Sequence, residues 1–152
     1  MRIHRWPDEL QSPEPTHVYS LCNDFWRTLH RLPDLIHRDE HLLAEACTAE
    51  LRGIVVEMML ALNGIRWPDG TAHLNGYLGA SQRRVLEQTL VTDSVARQSW
   101  IARAVALTVI YRWYAPQLTA HFGFEYPHAL ENEVWTDLLA ALPDWPQTVT
   151  TE

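Results

Sequence analysis

Apolar residues recur at three- and four-residue spacing along most of this chain, the period of an amphipathic helix. Val18, Leu21, Cys22, Phe25 and Leu29 predict a first helix from Thr16, an N-capping residue type, to about Arg31, with Pro33 as its stop. Leu43, Cys47, Leu51, Ile54, Val55, Met58 and Leu62 mark a second, from Asp39 or its neighbours to about Asn63. Gly53 interrupts it at modest cost and Gly64 ends it. Gly70, Gly76, Gly79 and Pro68 make residues 66–79 a loop, with one short helix from about His73 to Leu78. Ser81 caps a helix running to about Leu90. Thr92 or Asp93 caps the longest, from Ser94 to about Tyr114. That helix is apolar almost all round from Ala104 to Tyr111, as befits the central, most buried element. Pro116 either kinks it or starts a new turn before Gly123, and Pro127 at a first helical position opens a last helix to about Leu142.

The ends read differently. Pro7, Pro13 and Pro15 among polar residues make residues 1–15 an extended lead-in, and the Pro- and Thr-rich residues 143–152 a flexible, fraying tail. Residues 147–151 have β propensity but no partner strand, and no internal repeat is visible. The expected fold is therefore all-α: a single-domain helical bundle of about five to seven helices over residues 16–142.

Composition narrows the function classes. The chain's 152 residues suit one core, and its 47% hydrophobic content, with seven Trp, excludes disorder. A net charge of −7 disfavours a nucleic-acid partner and favours a cationic small molecule. No stretch is long enough for a membrane span, and the first residues lack a secretory apolar region. Cys22 and Cys47 make no disulfide framework, so a cytoplasmic protein with reduced thiols is expected. All twelve basic residues are Arg, which excludes any chemistry that needs a lysine.

Several short patterns bear on chemistry. His37 to His41 spells H-x-x-E-H, an inverted zinc-protease motif, but it lies at the start of a predicted helix with no evident third ligand. A solvated first turn, with Asp39 and Glu40 favouring the helix dipole, is the simpler reading. Arg31 with His37, and Arg66 with His73, match the loose arginine–histidine spacing of HEPN-type ribonucleases, and two hits in one chain show how little that pattern selects. No glycine is followed by serine ahead of a D-x-D pair, so the clustered carboxylates that hold Mg²⁺ in adenylyl transfer are missing. On the second helix, Glu50 and Glu57 fall within about 20° of each other and about 10.5 Å apart along the axis. Two carboxylates on the rim of an apolar face suit a ligand carrying guanidinium or amine groups, although boundary glutamates usually only reach for water. Phe25 follows the apolar spacing and is expected in the core; Trp26, one residue further round, is expected at the rim of a cleft shared with the second helix.

Cys22-Asn23-Asp24-Phe25-Trp26 resembles the C-N-E-F-W segment that opens the helical C-terminal domain of aminoglycoside (streptomycin) 6-adenylyltransferases. The likeness extends, by order and spacing, through Pro15-Thr16, Arg38 and Glu40, the apolar run Leu42 to Leu62, Gly70, Tyr77-Leu78 and Tyr126-Pro127. It covers about Pro13 to Leu142. It implies a helical bundle that, in the full enzyme, closes on a nucleotidyltransferase domain and forms part of the streptomycin pocket and the ATP cleft. Asp24, Trp26, Glu50, Glu57 and Tyr77 are the substrate-facing candidates. The chain departs from the family where an I-D-H run is replaced by Glu45-Ala46-Cys47, and where Thr71 follows Gly70 in place of a lysine. ATP and Mg²⁺ are implied for the full-length family; none is expected to be held by this chain, which lacks the family's catalytic carboxylates. The resulting expectation is a substrate-binding helical domain without its catalytic partner, inactive alone. The alternatives are a non-catalytic module that pairs with a separate nucleotidyltransferase or with itself, and a HEPN-like ribonuclease.

Overall fold

The computed structural model describes residues 6–148. Their regular elements are helical: α1 (Pro15–His30), α2 (Leu32–His37), α3 (His41–Leu62), a 3₁₀ turn (Leu74–Tyr77), α4 (Ala80–Gln88), α5 (Arg97–Phe122) and α6 (His128–Ala141). The all-α bundle expected from periodicity is the fold observed.

Proline and turn chemistry set the boundaries. Pro15 occupies the first turn of α1, where its missing N–H costs no hydrogen bond, so the helix starts one residue before Thr16. Pro33 does the same for α2, a short helix the apolar pattern did not reveal. Between α2 and α3, Asp39 adopts a left-handed conformation (φ 54°). Its N–H donates to the Ile36 carbonyl at 3.1 Å and the Glu40 N–H to that of Leu35 at 2.9 Å, a Schellman closure of α2. The second long helix therefore begins at His41 and not at Asp39. Gly123 (φ 69°) ends α5 in the same way, with both its own N–H and that of Phe124 on the Thr119 carbonyl. α5 runs through Pro116 and ends well beyond the expected Tyr114.

The core is one continuous cluster. α3 packs against α5 and α1, and α1 is flanked in turn by α2, α5 and α6. No residue from Ala104 to Tyr111 is exposed; Val105, Ala106 and Val109 are partly covered and the rest of the run is buried. Phe25 stacks on Tyr111 at 4.1 Å between ring centres. Thr108, fully buried, places its hydroxyl on the Ala104 carbonyl within the helix.

Both ends are more attached than their composition suggests. Gln11 accepts a hydrogen bond from the Arg66 N–H at 2.8 Å, and Asp8 takes hydrogen bonds from the Thr71 and Tyr77 hydroxyls, each at 2.6 Å. In the expected tail, Trp145 is buried edge-on to Trp135 at 5.7 Å and Asp144 pairs with Arg97 at 3.2 Å. Residues 1–5 and 149–152, which include most of the β-prone 147–151 stretch, lie outside the described residues. No helix among the described residues is long and apolar enough to cross a membrane.

Candidate ligand groove between α1 and α3

Three of the five candidates meet. Asp24 on α1 and Glu50 and Glu57 on α3 line one groove of about 360 Å³, floored by Leu21 and Ile54. The helical spacing that puts Glu50 and Glu57 on one stripe aims both at α1, and Asp24 approaches from the opposite wall.

Each carboxylate already has a basic neighbour in the groove. Arg31 Nη2 donates to Glu50 Oε2, His17 Nε2 lies 3.3 Å from Glu57 Oε1, and Arg27 Nη1 lies 3.6 Å from Asp24 Oδ1. These pairs are partly to largely solvent-exposed, and exposed ion pairs contribute only about 0–1 kcal/mol each. An incoming cation can therefore replace Arg27, Arg31 or His17 at small cost. Among the described residues no three His, Cys, Asp or Glu side chains converge to hold a metal ion.

Trp26 is not at the rim of this groove. It is fully buried, its indole N–H donating to the Tyr126 hydroxyl at 2.8 Å and its ring edge-on to Tyr111 and Trp135. The reason is that α1 is covered on two sides: Phe25 faces Tyr111 of α5, and the next position round meets the α5–α6 end, where Tyr126 and Trp135 lie. Tyr77 is also elsewhere. It is buried beneath the lead-in, tilted against Trp6 at 5.6 Å, and its hydroxyl is committed to Asp8. The hydrogen bonds from Thr71 and Tyr77 hold the Asp8 carboxyl below its usual range, and burial, then the bond to Asp8, raises the Tyr77 phenol.

The histidine motifs resolve into structural contacts. His37 donates through Nε2 to the Ala141 carbonyl at 2.8 Å, and His41 Nδ1 accepts the Trp100 indole N–H at 3.0 Å. The left-handed turn at Asp39 separates the two histidines, so H-x-x-E-H does not share a helical face. Arg31 lies in the groove on Glu50 while His37 holds the end of α6, so the ribonuclease-like pair is not assembled within the chain. Both cysteines are free and buried; burial pushes the Cys22 thiol up to about 11 and also raises Cys47.

Sequence reasoning missed a polar seam in the core. Arg112 pairs with Glu131 at 3.0 Å while its guanidinium lies 4.5 Å over Trp135 and 5.8 Å from Trp26. Burial raises the phenols of Tyr111 and Tyr126 far above their ordinary value. Trp26 and Tyr126 are a hundred positions apart, and no local spacing could have paired them.

The fold and its groove define an all-helical domain with an ion-paired, carboxylate-rimmed channel between two of its helices. The chain belongs to the streptomycin adenylyltransferase family, whose family model matches residues 6–139. No curated protein and no solved structure matches it.

Proposed function

We propose that this chain is a substrate-side helical domain of an aminoglycoside adenylyltransferase-like protein, and that the α1–α3 groove takes the cationic ligand. The observation that carries this is the meeting of Asp24, Glu50 and Glu57 along one groove in a member of this family. The ligand's ammonium or guanidinium groups exchange with Arg27, Arg31 and His17 on the three carboxylates. Each exchanged pair is partly exposed and contributes no more than about 1 kcal/mol, so binding draws on several such contacts made at once.

The catalytic part of the reaction belongs to a nucleotidyltransferase domain, joined or separate. Adenylyl transfer needs Mg²⁺ held by converging carboxylates against the triphosphate. In this reading the 152-residue chain incubated with ATP, Mg²⁺ and streptomycin releases no pyrophosphate above blank. Calorimetric titration with streptomycin tests the groove. Binding is expected to weaken as salt rises, and Glu50→Gln with Glu57→Gln is expected to weaken it further. Salt-independent binding, or binding unaltered in the double variant, excludes the groove as the ligand site.

A further inference from the structure

Two Asn-Gly pairs occur in the chain: Asn63-Gly64 at the end of α3 and Asn75-Gly76 in the 3₁₀ turn. In such a pair the glycine amide nitrogen can attack the asparagine side-chain carbonyl. Glycine has no Cβ to obstruct the approach and lets the backbone rotate into the reactive geometry. In a folded chain the reaction then depends on how firmly the attacked and attacking groups are held. All four residues are exposed, so access to water does not distinguish the pairs.

Hydrogen bonding does. Asn63 Nδ2 donates to the Tyr77 carbonyl at 3.0 Å and to Gln82 Oε1 at 2.9 Å, and Asn63 Oδ1 accepts from Gln82 Nε2 at 3.3 Å. The Gly64 N–H is fixed as well. It donates to the Ala61 carbonyl at 3.0 Å, in a left-handed closure of α3 (φ 86°) that the Ile65 N–H completes on Leu60. Both reacting groups of the first pair are therefore tied down. The Asn75 side chain, by contrast, makes no hydrogen bond to the described residues. The Gly76 N–H has one acceptor, the His73 carbonyl at 3.3 Å, longer than an ordinary N–H···O bond. The turn around it is four residues long, and Tyr77 is its one buried member. Opening it locally costs little buried contact. A Cβ built on Gly76 would meet nothing within 4 Å, so the space beside the nitrogen is open, and Asn75 lies on the wall of an open cavity of about 670 Å³.

We propose that Asn75 is a site of spontaneous deamidation in the folded protein, while the amide pair with Gln82 protects Asn63. The deprotonated Gly76 nitrogen bonds to Asn75 Cγ. The Cγ–Nδ2 bond breaks, and the amide leaves as ammonia with a proton taken from water. Water then opens the succinimide at either carbonyl, leaving aspartate or isoaspartate at position 75. One negative charge is added to a chain whose net charge is −7. The change falls two residues before Tyr77, whose hydroxyl holds Asp8 of the lead-in.

The whole folded chain is incubated at mildly alkaline pH and sampled over days, beside the same chain unfolded in urea. Trypsin places the two sites in separate peptides, Gly53–Arg66 and Trp67–Arg83. Mass spectrometry is expected to show a gain of one mass unit in the folded sample confined to the Trp67–Arg83 peptide, and in the unfolded sample in both. Part of the product is expected to accept methyl groups from an isoaspartyl methyltransferase. Gly76→Ala is expected to slow the conversion severalfold, and Asn75→Gln to abolish it. Equal conversion of the two peptides in the folded chain overturns the proposal. So does an unaltered Trp67–Arg83 peptide in the folded chain when its unfolded counterpart reacts, or a mass gain that persists in Asn75→Gln.

Discussion

Trp26→Phe separates a structural role for this residue from a ligand-facing one. The indole is fully buried and its N–H donates to the Tyr126 hydroxyl at 2.8 Å. Phenylalanine removes that bond, a loss of about 0.5–1.5 kcal/mol, and leaves part of the indole volume empty. The void adds a fraction of the about 3–5 kcal/mol that complete truncation of such a residue costs. The expected total is about 2–3 kcal/mol, or roughly 4–12 °C in Tm for a domain of this size. Tyr126→Phe strands the buried Trp26 N–H instead and is expected to cost about 1–3 kcal/mol. The two variants share one hydrogen bond, so together they cost less than their sum by about 0.5–1.5 kcal/mol. Urea unfolding followed by far-ultraviolet circular dichroism measures all four corners of the cycle. A Trp26→Phe loss below about 0.5 kcal/mol, or strict additivity of the pair, refutes the buried hydrogen-bond reasoning. Loss of cation binding in a fully folded Trp26→Phe chain returns the residue to the ligand site.

Other outcomes follow from single features. Gly123→Ala is expected to cost about 1–2 kcal/mol in chemical denaturation, because φ is 69° there and nothing but the backbone conformation opposes a side chain. The buried Cys22 thiol is raised from 9.0 to about 11, so its contribution is intact below pH 9 and is lost as pH rises from 9 to 11. Each such group lowers stability by about 1.4 kcal/mol per pH unit in that window. Tyr111 and Tyr126 are shifted in the same direction, and a denaturation series across alkaline pH is expected to show early unfolding. Stability that stays level up to pH 11 contradicts this. For the same reason Cys22 is expected to resist a thiol reagent at pH 8 until the chain unfolds, and prompt labelling of the native protein contradicts its burial.

The sequence by itself determined the helical class and the order of the longer helices, but not α2 or the ends of α5. Apolar spacing depends on local geometry, and a helix that must bury one face repeats it every three to four residues. It also determined that Glu50 and Glu57 share a stripe, because both lie on one helix. Tertiary structure alone decided what faces that stripe. Asp24, Arg27, Arg31 and His17 reach it from α1 and the stretch that follows, at separations no local period encodes. It also decided the place of Trp26. Periodicity counts the faces a helix buries against one neighbour; α1 has neighbours on several sides, so the residue beside its main apolar stripe is buried too. Tyr77 was similarly decided by the lead-in, whose proline-rich composition gave no sign that Asp8 would bond its hydroxyl. The H-x-x-E-H string was legible as letters, but a left-handed residue at Asp39 turned its two histidines to different helices. Backbone conformation at one residue, set by how α2 must close onto α3, outweighed the spacing of the motif.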